Sequence, residues 1–321
     1  MLFSRVIQAA VVCLFALSAP AGAAFLLKMP AAGLKSAPGV PTPAMASCTL
    51  PWGDAVAHGT AYSGAAYSAE VVSLPSTCDA VLVQPTCYDG VLTPSVVYGQ
   101  CSPSDPLFNS TVLLDHFETA GGPDVKGHPV SSLVGSFGVG SPAKYGAFSG
   151  TFNGLTIAAY ADQTGSDFTF GAGDFTVEAW VRPATVSGTV YLISSSAWEN
   201  GDRGGWALRM TNGRMTFGGM STSHITTTEA IPANTWTHVA VTRTGNTFRL
   251  FINGAISSTA TASPTYAGTS GSYPRRVNLG GTIMDWSSRY LLTGNIDDAR
   301  ITKASRYTEP FTPPAAAHPD Q

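Results

Sequence analysis

The stretch Trp236–Gly254, "WTHVAVTRTGNTFRLFING", contains two predicted β-strands and two predicted turns. Apolar and polar residues alternate in WTHVAVTR and again in TFRLFI, and β-branched and aromatic residues are frequent, which is typical of half-buried strands. Gly245-Asn246 separates the two runs and Asn253-Gly254 follows the second, and residues of these types tolerate the positive φ of a tight hairpin turn. The stretch therefore predicts antiparallel strands joined by tight turns.

The same alternation recurs through most of the chain. The other runs that show it are STVLLDHF, DFTVEAWVRP, VYLISS, GWALRM, RMTFGG, RVNLGG and NIDDARIT. Asn212-Gly213 offers a third hairpin turn, and no amphipathic helix is evident. About ten or more antiparallel strands imply two stacked sheets, because a single open sheet would leave a large apolar face in water. We predict an all-β chain with a two-sheet antiparallel sandwich over residues 105–314.

The composition agrees with this fold class. Only 12% of the 321 residues are charged, whereas Gly (34) and Pro (22) are abundant, as in turn-rich β structure. The formal net charge is −3, and the chain has no basic stripe that could neutralise phosphates. Nucleic acid is therefore not an expected partner.

The first 47 residues have the layout of an export signal and a linker. Arg5 precedes an apolar run, and small residues follow at Ala21–Ala23, so residues 1–23 are predicted to be a signal peptide. The run is short for a membrane span; an uncleaved anchor is the alternative. Residues 24–47 are rich in Pro and Ala and predict an extended linker. We expect a secreted or cell-surface protein with no integral membrane span after cleavage.

Four cysteines lie in one short segment, residues 48–104: Cys48, Cys78, Cys87 and Cys101. An even number of cysteines in an exported chain predicts two disulfides, and the spacing leaves all three connectivities open. A segment this small has too little core to be stable easily without such bonds. We predict a small disulfide-rich β module here, and a disordered tail at residues 315–321.

Two segments resemble known families. CTLPWG, a following His-Gly and TCYDGVL resemble a small cysteine-paired module of exported bacterial proteins. The order of strands and turns in Trp236–Gly254 resembles LamG-like domains of the concanavalin A-like lectin/glucanase superfamily. LLDHFE, GAGDFTVEAWVRP and LTGNIDDARITKASRYTEPFTPP agree with that resemblance. It implies a jelly-roll sandwich, which the strand pattern alone leaves as one of several sandwich types.

The resemblance raises the question of catalysis, since the superfamily includes glycoside hydrolases. Retaining members carry Glu-x-Asp-x-x-Glu on one strand, and no glutamate here has Asp two residues later. We therefore predict that the chain is not an enzyme. Glu178 shares a strand face with Trp180 and Arg182, where an acid beside a Trp could hold a sugar; the favoured interpretation is a Glu178–Arg182 contact on a solvated face.

Calcium is the possible cofactor that the resemblance implies. The family places Phe-Asp in the first strand and Ile-Asp-Asp in the last, and these align with Phe117-Glu118 and with Ile296 to Asp298. Glu118, Asp124, Asp297 and Asp298 are the predicted ligands. Calcium favours several oxygen ligands from separate segments. In the alternative interpretation, Asp298 pairs with Arg300 on its own strand face, and Asp297 accepts hydrogen bonds from the backbone of the turn after Gly294.

Two loops, residues 194–206 and 280–290, offer residue types that often bind ligands. Their candidate contacts are Trp198, Arg203, Trp286 and Arg289. The alternative is that the two Trp side chains fill the ends of the sandwich. We predict non-catalytic recognition of a glycan or protein ligand, with a structural or assembly component as the alternative. A divergent glycoside hydrolase is the least favoured function.

Overall fold

The computed structural model describes residues 45–73, 78–195, 205–220, 222–266, 276–283 and 289–321. The predicted signal peptide and residues 24–44 of the predicted linker lie outside these ranges. From Ala46 onward the described residues belong to one compact unit. The helical segments among them are two short 3-10 turns, Cys78–Val81 and Phe108–Ser110, so the all-β prediction is confirmed.

The first part of the described chain is a module of short strands held by disulfides. Its strands are β1 (Cys48–Thr49), β2 (Ala55–Val56), β3 (Ala66–Tyr67), β4 (Val71–Ser73), β5 (Leu82–Val83), β6 (Thr86–Tyr88), β7 (Val91–Thr93) and β8 (Ser102–Ser104). Cys48 bonds to Cys87 and Cys78 bonds to Cys101, which confirms the two predicted disulfides and gives their connectivity. The Cys48–Cys87 bond lies in a small core with Leu50, Val56 and Val97. This core is too small to stabilise the module easily without the disulfides.

The remaining strands form two large antiparallel sheets. They are β9 (Thr111–Asp115), β10 (Val130–Val134), β11 (Gly138–Gly140), β12 (Ser149–Asn153), β13 (Ile157–Ala161), β14 (Phe175–Pro183), β15 (Thr189–Ser195), β16 (Trp206–Thr211), β17 (Arg214–Gly219), β18 (Ile225–Thr226), β19 (Thr237–Thr244), β20 (Thr247–Ile252), β21 (Ala255–Thr261), β22 (Arg276–Leu279), β23 (Gly281–Ile283), β24 (Arg289–Leu291) and β25 (Thr293–Thr302). The seven-stranded sheet has the order β10-β13-β22-β15-β16-β17-β18. The eight-stranded sheet has the order β11-β12-β25-β14-β19-β20-β21, with β9 also paired to β25. β23 and β24 form a separate hairpin.

The sheets enclose a core that is rich in aromatic rings. Trp206, Phe175 and Phe217 are fully buried between them, and the Trp206 indole donates a hydrogen bond of 3.1 Å to the Phe168 carbonyl. The indole N–H therefore has a partner, as a buried polar group requires. This arrangement is a jelly-roll sandwich, as predicted.

Some strands carry no clear sequence signal. β10 to β13 and β21 contain many Gly, Ser, Ala and Thr residues, so the contrast between apolar and polar positions on which the alternation test depends is weak. They are strands because neighbouring strands supply their hydrogen-bond partners. β12 pairs with β25, for example, and β21 pairs with β20.

The closing segment, residues 303–321, runs across the outer face of the eight-stranded sheet. Phe311 donates its N–H to the Gly254 carbonyl at 3.0 Å, and its ring stacks on that of Tyr307 with centroids 3.6 Å apart. Gly254 adopts φ 78°, and a Cβ there would lie 1.8 Å from the Phe311 carbonyl oxygen. The Asn253-Gly254 turn thus connects β20 to β21. Because Gly254 has no side chain, the closing segment can also pass close to this turn.

Residues 315–321 were predicted to be a disordered tail, and the structure differs. His318 is only 4% exposed, and Gln321 accepts a hydrogen bond of 2.7 Å from the N–H of Asp105. The contacts of this stretch are polar and follow no period, so a hydropathy pattern does not reveal them.

Candidate functional site

A layer of ionisable side chains lies between the eight-stranded sheet and the closing segment. Glu178 on β14, His238 on β19 and Arg300 on β25 point to the outer face, because their neighbours Val177 and Ala179 point into the core. All three outward side chains are buried, since the closing segment covers them. Three adjacent strands therefore supply charged and titratable groups to a site shielded from water.

Glu178 is the centre of an ion-pair network. It is 0% exposed; Arg300 Nε donates to its Oε1 at 2.8 Å and the Tyr307 hydroxyl donates to its Oε2 at 2.9 Å. Arg300 also reaches Asp105, which forms a second pair with Arg306. The expected solvated contact with Arg182 is therefore corrected: the closing segment removes Glu178 from solvent, and its partner is Arg300.

The charge state of this network follows from its contacts. Burial acts to raise the pKa of Glu178, but the Arg300 guanidinium outweighs burial and holds that pKa well below its usual range. Burial likewise acts to lower the pKa of Arg300, and Glu178 raises it. The two groups form a charged pair at neutral pH.

A β-bulge explains why two aspartates stand side by side in β25. Glu178 lies opposite Arg300, whereas Trp180 lies opposite Asp297, so the strand β25 has one extra residue at this point. Asp298 occupies the bulge with φ 49°, a backbone region that Asp tolerates better than most residues. The bulge lets both carboxylates lie on the outer face, where strict alternation would have separated them.

Each of these carboxylates has several donors. Asp297 accepts hydrogen bonds from the backbone N–H groups of Lys144 and Tyr145, at 2.6 and 3.1 Å. Asp298 pairs with His116 at 2.7 Å and accepts the N–H of His318 at 3.1 Å. Both parts of the alternative interpretation are therefore corrected: Asp297 accepts from the backbone of Lys144 and Tyr145 rather than from the turn after Gly294, and Asp298 pairs with histidines rather than with Arg300.

The pKa values of the two aspartates diverge. Burial raises the pKa of Asp297 to about 6, in spite of its backbone donors. Burial also acts to raise the pKa of Asp298, but His318 and His116 lower it below its usual range. Burial opposes protonation of His116, yet Asp298 and Asp320 raise its pKa to about 9. Asp298 and His116 are therefore an ion pair at neutral pH.

A cavity of about 450 Å³ opens beside this pair, where the module, the sandwich rim and the closing segment meet. Its lining consists of Ser102, Pro103, His116, Glu118, Tyr145, Gly146, Asp297, Ala317, His318, Pro319, Asp320 and Gln321. Glu118 is fixed by the N–H of Ala147 at 3.1 Å, and Gly146 has φ 60°, where a Cβ would lie 1.8 Å from Glu118 Oε1. The cavity therefore presents carboxylates, an imidazolium and an aromatic ring.

The four predicted calcium ligands are only partly brought together. Glu118 and Asp297 line the cavity and Asp298 lies next to it, whereas Asp124 accepts hydrogen bonds from Leu114 and His128 and is not part of the lining. All four carboxylates accept hydrogen bonds from N–H groups, which calcium would have to displace. Calcium binding by these residues stays a prediction.

A different group of potential metal ligands converges in the described part of the chain. One ligand atom from each of Glu178, His238 and His318 lies within 4.8 Å of the other two. Sequence reasoning missed His238 and His318. His238 occupies the outward phase of a long apolar strand, which is a usable signal, whereas His318 stands in the aperiodic tail and gives none.

The predicted ligand-binding residues are mostly not described. Trp198, Arg203 and Trp286 lie outside the described residues; Arg289 begins β24, but its side chain is not described. Their role stays a prediction.

Comparison with known proteins finds a family match within the sandwich. Residues 153–308 match the family model Laminin_G_3, described as the concanavalin A-like lectin/glucanases superfamily. No curated protein matches the sequence significantly.

Similar solved structures include domain 4 of AbnA, a GH43 extracellular arabinanase from Geobacillus stearothermophilus in complex with arabinotriose, with 16% identity and a TM-score of 0.45. That match covers 61% of this chain and 93% of the other. Another is botulinum neurotoxin type C, whose cell entry depends on interaction with two ganglioside molecules, with 15% identity and a TM-score of 0.48. It covers 63% of this chain but only 49% of the neurotoxin chain. Residues 153–308, which form most of the sandwich, thus match the model of the concanavalin A-like lectin/glucanases superfamily, and the two antiparallel sheets form a jelly-roll sandwich.

Proposed function

We propose that this chain is an exported, non-catalytic binding protein that recognises a glycan or a protein through its LamG-like domain. The observation that carries the proposal is the cavity of about 450 Å³ at the rim of the sandwich. Its volume falls within the range of small-ligand sites, and it combines apolar surface with a few fixed polar groups.

The lining favours a glycan over a protein. Tyr145 presents an aromatic ring to the cavity, and a sugar ring can pack its C–H face on such a surface. Glu118 and Asp320 are carboxylates, which accept hydrogen bonds from sugar hydroxyls more strongly than neutral acceptors do. Their positions are fixed by neighbouring groups, since Glu118 accepts the N–H of Ala147 and Asp320 pairs with His116. A preorganised site loses less entropy on binding.

Export is supported by the module. Disulfides persist in oxidising compartments, and this chain has two. Among the described residues, no helix reaches the length and hydropathy of a bilayer span.

The test is a glycan-binding screen with the exported chain, followed by titration of the best glycan. Tyr145→Ala and Glu118→Gln are each expected to weaken binding by about tenfold or more, because they remove contacts at the centre of the cavity. The control is Tyr88→Ala, in the module and 58% exposed. Circular dichroism and melting curves establish that the variants fold. Unchanged affinity in both cavity variants would overturn the cavity as the binding site.

Two alternatives each have one supporting observation. Exposed apolar side chains in the module, such as Val91 and Val96 at 62% and 63% exposure, favour an assembly component; ligand-independent oligomers that Val91→Ser disperses would support it. The pKa of about 6 at Asp297, which lines the cavity with Glu118, favours a divergent glycoside hydrolase. Release of reducing sugar that is lost in Asp297→Asn would support that alternative.

A further inference from the structure

Three buried side chains meet beneath the closing segment, next to the cavity that His318 also lines. Glu178 and His238 come from the adjacent strands β14 and β19, and His318 comes from the closing segment above them. The side chains of Glu178 and His238 are 0% exposed and that of His318 is 1% exposed. A sheet and a segment remote in sequence thus contribute an acid and two imidazoles to one buried point.

Three of the four imidazole nitrogens of His238 and His318 lack a hydrogen-bond partner among the described residues. Both ring nitrogens of His238 and Nε2 of His318 are buried without a partner among the described residues. His238 Nε2 lies 3.4 Å from Glu178 Oε2, but the two atoms are not aligned as a hydrogen bond. Buried polar groups in native proteins are almost always satisfied, so these nitrogens indicate a missing partner.

We propose that Glu178, His238 and His318 bind a zinc ion that fastens the closing segment to the eight-stranded sheet. Tetrahedral zinc, with bonds of about 2.0–2.2 Å to nitrogen and oxygen, keeps its ligand atoms about 3.3–3.5 Å apart. The Glu178–His238 separation of 3.4 Å already has this value, and the three ligand atoms lie within 4.8 Å of one another. A zinc ion with three protein ligands takes a water molecule as its fourth.

The surroundings suit a metal. Arg300 and Tyr307 donate hydrogen bonds to Glu178 and fix its orientation, which is the usual role of groups behind a metal ligand. Imidazole and carboxylate ligands together favour zinc over calcium. Glu178 supplies an anionic ligand, and His318 also lines the cavity, so the ion has an entry path.

The competing occupant is a buried water molecule, which could also bridge these groups. The test uses the full exported chain, stripped with a chelator and then titrated with zinc alone by calorimetry. We expect one zinc per chain and a higher melting temperature with zinc than with chelator. Co²⁺ in place of zinc should give the intense visible absorption of tetrahedral coordination; because all four cysteines of the module are in disulfides, this spectrum must lack thiolate bands.

His238→Gln and His318→Gln should each weaken zinc binding by at least about tenfold, as loss of a ligand costs no less than loss of a group behind it. His58→Gln, a histidine of the module that accepts the N–H of Asp89, is the control and should bind zinc normally. The cobalt spectrum of the unmutated chain decides the question if a variant fails to fold. Absence of stoichiometric zinc binding, an octahedral cobalt spectrum, or equal binding by all three variants would overturn the proposal.

Discussion

Removal of Arg300 should expose how strongly the buried network depends on charge balance. Arg300→Met keeps much of the side-chain volume but leaves the Glu178 carboxylate, which is 0% exposed, with the Tyr307 hydroxyl at 2.9 Å, His238 at 3.4 Å and the more distant Arg306 at 3.8 Å. Breaking a buried ion pair by removing one partner costs about 3–5 kcal/mol, because the remaining charge loses its main compensation. We expect the free energy of unfolding to fall by that amount at neutral pH.

The double variant Glu178→Gln/Arg300→Met should be more stable than Arg300→Met alone. It removes both charges, and Asp105 keeps its contacts with Arg306 at 2.7 and 2.8 Å. Replacement of a whole buried pair is often nearly neutral, so about 1–2 kcal/mol of destabilisation is expected. Arg182→Met is the matched control, because Arg182 is a partly exposed arginine in the same outward phase of β14. It should change stability by no more than about 0.5 kcal/mol.

The pH dependence of the deficit has a defined sign. In the unmutated chain the pKa of Glu178 is depressed, so its stabilising contribution is present above its ordinary pKa of 4.5 and is lost as the pH falls through the folded-state pKa. Without Arg300, burial raises the pKa of Glu178, and folding then takes up a proton. The stability of Arg300→Met should therefore fall as the pH rises above about 4.5, and its deficit should grow toward neutral pH.

The assay is urea unfolding of the chain with disulfides intact and with chelator present, at about pH 4.5 and about pH 7. Comparison of midpoints is valid where the m-value is unchanged. A deficit below about 1 kcal/mol at neutral pH would refute the charge argument, and so would a deficit that does not change with pH.

Three further predictions concern the module, calcium and the loops. Replacement of Cys48 and Cys87 together by Ala should lower the free energy of unfolding by about 4 kcal/mol, from the chain entropy of a separation of 39 residues; a loss below about 1 kcal/mol would contradict this. If calcium binds the predicted acids, a hundredfold excess of calcium over Kd should stabilise the chain by about 2.7 kcal/mol, and Asp297→Asn should abolish this stabilisation. A melting temperature that does not change with calcium would contradict the calcium site. Trp198→Ala and Trp286→Ala should each weaken ligand binding by about tenfold or more at unchanged melting temperature, whereas lost stability at unchanged affinity would indicate that these side chains fill the ends of the sandwich.

The sequence predicts those parts of the fold where neighbouring residues differ strongly in polarity. In β14 and β19 the core face carries residues such as Val177 and Val241, so both strands and their inward phase are readable. β11, Gly138–Gly140, has no such contrast. It is a strand because β12 lies beside it, which is information from outside its own residues.

The candidate site is less predictable for a related reason. The alternation rule assigns Asp297 and Asp298 to opposite faces, and only the bulge opposite Ala179 brings them to the same one. The alternation rule correctly predicts that Glu178 points outward. Its burial, however, depends on the closing segment, which lies more than a hundred residues later in the chain. The alternation of polar and apolar residues in a strand predicts neither burial by a segment distant in sequence nor a β-bulge.

The docked residues 315–321 illustrate this limit and can be tested directly. Their deletion would remove three hydrogen bonds, namely the His318 N–H to Asp298, His116 to Asp320, and the Asp105 N–H to Gln321, together with the 3.5 Å contact between His318 Nε2 and Asp298 Oδ2. At about 0.5–1.5 kcal/mol for each, the free energy of unfolding should fall by about 2–4 kcal/mol when measured with chelator. A change below about 1 kcal/mol would mean that the tail contributes little to stability.

The pH profile separates this loss from a general loosening of the chain. The pKa of His116 is raised to about 9 by Asp298 and Asp320, against the effect of burial. A raised histidine pKa gives stability that is fully present below the ordinary value of 6.5 and is lost as the pH rises through about 9. Because deletion of Asp320 removes one cause of the raised pKa, the cost of the deletion should shrink between about pH 7 and about pH 9. Asp320→Asn in the intact chain should reproduce this pH-dependent part alone, while a deletion cost that stays constant over the same range would show that the His116–Asp320 pair does not hold the tail.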